Sequence, residues 1–128
     1  MKLKPGVIIS AITIYMFSFS AFADSSSTEL ISYIKSELQE IHEADQATRQ
    51  EIQHALDTHG RDSAEVQVLW QKQSQIDANN RKRVSSILEQ YGWPELSDFG
   101  DLSAARAILL VIQHGDLAYQ LQYFDMAE

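Results

Sequence analysis

Three polar residues, Gln73, Asp77 and Asn80, fall where the sequence calls for a closed apolar helix face. On a helix at about 100° per residue with Trp70 at zero, Val66, Leu69, Ile76, Val84, Ile87, Leu88 and Tyr91 fill an arc from about −120° to 0°. Gln73, Asp77 and Asn80 lie inside it, at about −60°, −20° and −80°. The preceding segment repeats the violation: with Leu30 at zero its apolar arc runs from about 0° to 100°, and Asp45 sits at about 60°. Arg49 and His42 lie at that arc's edge. Gln113, His114 and Asp116 then follow the most apolar run in the chain. An unpaired buried carboxylate costs several kcal/mol, so these groups must find one another or a ligand.

Asp45, Arg49, Gln73, Asp77, Asn80, His114 and Asp116 are therefore the candidate ligand-binding residues. Buried amides and carboxylates on rigid helices suit recognition of a small polar ligand or a polar segment of a protein partner, because an analogue lacking a matching group leaves them unpaired. The same set suits a hydrolase. There His114 is general acid or base, Asp45, Asp77 or Asp116 orients it, and Arg49 stabilises developing negative charge. A variant of that chemistry places a divalent metal on His114 and the carboxylates. A third reading is structural: the polar seam sets helix register, an Asp45–Arg49 pair is a surface ion pair, and exposed apolar surface finds a second copy or a partner.

Other motifs carry less. His42-Glu43-Ala44-Asp45-Gln46 begins like a helical zinc motif, but Gln46 stands where the second histidine belongs, which argues against a zinc protease. His54 and His59 flank a helix end at Gly60 and read as solvated. Ser25 to Ser27 has no histidine or lysine close in sequence to activate a nucleophile. Arg81-Lys82-Arg83 spreads around its helix and is too short for an anionic partner. No cofactor is identified by any motif.

The elements that must position these groups are helical. Ser27 or Thr28 is expected to cap a first helix whose apolar residues are Leu30, Ile34, Leu38, Ile41, Ile52 and Leu56, stopping at Gly60. Asp62 or Ser63 caps a second, which Gly92 and Pro94 end. Residues 93–101 read as a turn-rich connection, with Trp93 packed over one end of the domain. Leu102 to Gln113 is apolar nearly all round, as a central enclosed helix would be. Asp116 to Phe124 resumes helical spacing after Gly115. The expected fold is all-α: a small bundle of two long antiparallel helices, a central apolar helix and a short terminal helix.

Composition sets the wider frame. The chain has 128 residues, a formal net charge of −8 and no cysteine. Length allows one domain of ordinary size. The charge excludes a nucleic-acid binder, which needs a basic face. The lack of cysteine removes disulfides, thiolate metal sites and cysteine nucleophiles. Residues 1–23 have the three parts of a secretory signal peptide: Lys2 and Lys4, an apolar centre from Val7 to Phe22, and the small-x-small end Ala21-Phe22-Ala23. Residues 24–128 are then a single helical domain, periplasmic or secreted from a bacterium, with no membrane association after cleavage.

The succession Asp45-Gln46-x-x-Arg49, Trp70-x-x-Gln73-x-x-x-Asp77-x-x-Asn80, Tyr91-Gly92-Trp93-Pro94 and Ile112-Gln113-His114-Gly115-Asp116, with Gln120 and Tyr123, resembles a bacterial domain-of-unknown-function family, number 6624. The resemblance covers about residues 30–124 and implies a helical, often exported protein without an assigned activity. It also implies alanine where this chain has Gly115, and a pattern continuing past Glu128. By that measure the chain is expected to be either a C-terminally shortened member or a truncated gene product.

Overall fold

The computed structural model describes residues 18–126. The chain divides into two compact units, residues 1–30 and 31–128. In the first, the described residues are helical and residues 25–30 are exposed. The expected signal segment lies, for residues 1–17, outside the described residues. Among the described residues no helix is long and apolar enough to cross a membrane.

The fold is all-α, with α1 Ser18–His59, α2 Ala64–Tyr91, α3 Leu96–Phe99, α4 Ser103–Gln113 and α5 Leu117–Tyr123. Helix α1 does not begin at Ser27 or Thr28 as expected. No proline or glycine interrupts the sequence between Gly6 and Gly60, so nothing local stops the helix from running on toward the N-terminus. It ends where Gly60 adopts a left-handed φ of +81° and returns its N–H to Leu56. Ser63 caps α2, its hydroxyl accepting from the Val66 N–H at 3.3 Å. The connection after Gly92 contains one helical turn, α3, and Trp93 packs partly buried against the core.

In the second unit, α1 and α2 form an antiparallel hairpin. Lys72 meets Glu51, Gln73 meets Asp45, Asn80 meets Ile41 and Arg83 meets Glu37, so numbers rise on one helix as they fall on the other. The buried residues of α1, Ile34, Leu38, Ile41, Asp45, Thr48, Ile52 and Ala55, alternate spacings of four and three. On α2, Val66, Gln73, Asn80 and Ile87 recur every seven residues. Both are 3.5-residue repeats, the spacing of coiled-coil seams. A wheel drawn at 100° per residue drifts about 20° per heptad against such a seam. Trp70 and Tyr91 belonged to the apolar arc on the wheel and are exposed, although Val84 at the same heptad position is buried in the core that α4 closes.

Helix α4 runs in the same sense as α1, with Ser103, Ala104 and Ala107 beside Leu38 and His42, and His114 against Asp45. Its Ala104, Ala107, Ile108, Val111 and Ile112 close the main core over Ile34, Leu38, Ile41, Val84, Ile87 and Leu88. It is not enclosed all round, as its composition suggested: Arg106, Leu109 and Gln113 face solvent. One flank of a helix laid across a two-helix hairpin has no third layer to cover it. Leu117, Leu121 and Phe124 continue the exposed apolar surface beyond it.

Candidate functional site

A polar layer interrupts the hairpin seam. On one side lies the main core; on the other, Ile52, Ala55 and Val66 close the end near the turn. Between them Asp45, Thr48, Gln73 and Asn80 are all at least 98% buried.

Asp45 is the centre of this layer. Its Oδ1 accepts from Arg49 Nε at 3.0 Å, Gln73 Nε2 at 3.3 Å and His114 Nδ1 at 3.1 Å. Its Oδ2 accepts from Gln46 Nε2 at 2.8 Å. Arg49 comes from the same helix one turn on, the spacing at which side chains meet. Asp77 stands at the layer's outer edge, where its Oδ1 accepts from Arg49 Nη2 at 3.0 Å and Gln73 Nε2 at 2.8 Å. Arg49 and Gln73 thus each bridge the two carboxylates, one as a cation and one as a neutral amide.

Because an ionised carboxylate only accepts, the His114 Nδ1 carries the hydrogen toward Asp45 and Nε2 is left outward. The ring is about a quarter exposed, as is Arg49. The end of α4 holds it there. The His114 N–H reaches Leu110 O, Gly115 N–H reaches Ile112 O, and Gln120 Nε2 ties the Gln113 and Gly115 carbonyls together at 3.2 and 3.0 Å.

Five of the seven sequence candidates are therefore brought together: Asp45, Arg49, Gln73, Asp77 and His114. Asn80 is buried nearby but donates to the Ile41 carbonyl at 3.3 Å, a hairpin contact. Asp116 is set apart from the group. It is exposed and caps α5, accepting from Tyr119 N–H at 2.9 Å, because a short polar side chain before a helix satisfies that helix's free N–H groups. Gln46 and Thr48 were not among the candidates, although Thr48 falls at about 0° on the same wheel, the edge that Leu30 occupies. The four-three alternation from Ile34 points straight at Thr48; Gln46 carries no signal beyond standing next to Asp45.

One atom in the layer is unsatisfied. Gln73 spends both amide hydrogens on the carboxylates, and its Oε1 is buried with no hydrogen-bond partner. The charge is unbalanced too, since two carboxylates face one guanidinium when His114 is neutral. Donor atoms of Asp45, Asp77 and His114 lie within 4.8 Å of one another, a spacing a divalent ion could use. Yet Arg49 already sits on the Oδ1 atoms of both aspartates, and a dication there would face its guanidinium.

Fold and site together define an all-α protein built on a helical hairpin, with a buried carboxylate gripped by guanidinium, amide and imidazole donors. The chain belongs to the family of unknown function DUF6624, whose model matches residues 32–127. No curated protein and no solved structure matches it.

Proposed function

We propose that this is an exported binding protein, and that the cluster of Asp45, Arg49, Gln73, Asp77 and His114 recognises a small polar ligand offering a hydrogen-bond donor, an amine above all. The observation that carries the reading is the Gln73 carbonyl, buried without a partner beside two carboxylates. An acceptor left so costs about 1–3 kcal/mol, which a ligand N–H recovers on binding. A positive ligand also balances the second carboxylate. Export rests on the signal-like residues 1–23.

A thermal-shift screen of small amines, amino sugars and peptidoglycan fragments tests it on the wild type and on Asp77→Asn. At least one amine should stabilise the wild type, and the shift should vanish in the variant. Equal shifts in both proteins remove Asp77 as a contact, and no shift with any amine overturns the reading. For export, the chain recovered from a bacterial periplasm should begin at Asp24; retention in the membrane with Met1 intact would contradict it.

A hydrolase is the second reading, favoured by the 3.1 Å contact that fixes His114 Nδ1 on buried Asp45. Nε2 would take the proton of an attacking water, Asp45 would stabilise the imidazolium, and Arg49 would face the developing anion. Ester and amide hydrolysis that survives His114→Ala would exclude this role.

A further inference from the structure

A second site lies on the face that α1 shares with α4. A cavity of about 360 Å³ opens there over an apolar floor of Leu38, Ala104 and Ala107, all buried. Its rim carries Lys35, His42 and Arg106 and includes no carboxylate. In a chain of net charge −8, counted with histidine neutral, two cations and no carboxylate around one opening are a local inversion of sign. Among the described residues neither Lys35 nor Arg106 forms an ion pair, whereas Arg83 and Lys72 do. The neighbouring acid, Asp101, feels both charges but turns its Oδ1 to the Ser103 N–H at 2.7 Å. Two cations are thus left pointing at an apolar hollow whose volume is at the small end of the range for ligand pockets.

We infer that this groove binds a small amphipathic anion, a short apolar body seated on Leu38, Ala104 and Ala107 with a carboxylate or phosphate head held by Lys35 and Arg106. The division of labour follows from the chemistry. The floor supplies burial of apolar area, and the two unpaired cations give the head group charge-assisted hydrogen bonds. An alcohol of equal length gains the first and forfeits the second. The site shares no lining residue with the polar layer and stands whether or not that layer binds an amine.

Backbone amide shifts mapped by NMR during titration with hexanoate, hexyl phosphate and hexanol test it on the full chain. The two anions, or either one alone, should move amides of residues 35–42 and 103–107, and which head group prevails identifies the ligand's source. Hexanol should bind at least about tenfold more weakly. Lys35→Gln, at a half-buried position, and Arg106→Gln, at an exposed one, should each weaken anion binding about three- to tenfold, with Asp77→Asn leaving it unchanged. Equal affinity for hexanol, unaltered affinity in both cation variants, shifts mapping elsewhere, or no binding at about 20 mM would each overturn the proposal.

Discussion

His114 and Asp45, sixty-nine residues apart in the chain, meet at 3.1 Å between Nδ1 and Oδ1. The contact crosses from the end of α4 to the middle of α1, so the imidazole is held by the least exposed carboxylate of the cluster. Asp77, on the rim, takes only Arg49 and Gln73. Burial and partner number rank the two acids, and that ranking is measurable.

Asp45→Ala should lower the unfolding free energy by about 3–5 kcal/mol, since it leaves Arg49, Gln73 and His114 without their common acceptor. Asp77→Ala should cost less, about 1–2 kcal/mol, because its side chain is 18% exposed and water replaces part of what is lost. Chemical denaturation of both variants gives the order directly. A larger loss for Asp77→Ala would mean that Asp45 is not the centre.

Gly115→Ala should destabilise by about 1–3 kcal/mol. The new methyl would lie 2.6 Å from Tyr119 Cδ1 and 3.1 Å from the Ile112 carbonyl. Tyr119 has little room to yield, with its ring against Tyr123 and its hydroxyl bonded to Ser85 and Arg81. Thermal denaturation reads the loss; a more stable variant would show that the α4–α5 junction is looser than this packing requires.

Burial pushes the Tyr119 hydroxyl above its ordinary value of 10.0, against the opposing hydrogen bond from Ser85. The folded chain therefore keeps this proton at pH values where the unfolded chain releases it. Its contribution is complete below about pH 10 and is lost as pH rises through the higher folded value. The stability difference between wild type and Tyr119→Phe should be flat from neutral pH to about 9 and shrink above 10. A difference that stays constant at alkaline pH would place the hydroxyl in water.

Ser63→Ala should cost about 1 kcal/mol, the usual worth of a helix N-cap, through loss of the bond from Val66 N–H. Asp62→Ala should cost almost nothing, since Asp62 is exposed and the cap is Ser63. Equal losses in the two would show the cap to be shared.

The sequence by itself determined the main helices, though neither the start of α1 nor the short α3, and the existence of a polar seam. Gly60, Ser63 and Gly92 mark boundaries through local backbone chemistry, and apolar spacing suffices to show that Asp45, Gln73, Asp77 and Asn80 interrupt a buried face. What it could not determine was which groups each acid meets. A wheel at about 100° per residue already put Asp45 near the centre of its arc and Asp77 toward an edge, but it named no partner for either; packing against α2 and α4 buries Asp45 and leaves Asp77 and Trp70 at the rim. Only the tertiary structure decided that Asn80 serves the hairpin while His114 reaches Asp45. The physical reason is range. Caps and periodicity act over one or two helical turns, whereas these pairings depend on how whole helices cross, which the packing of distant side chains settles.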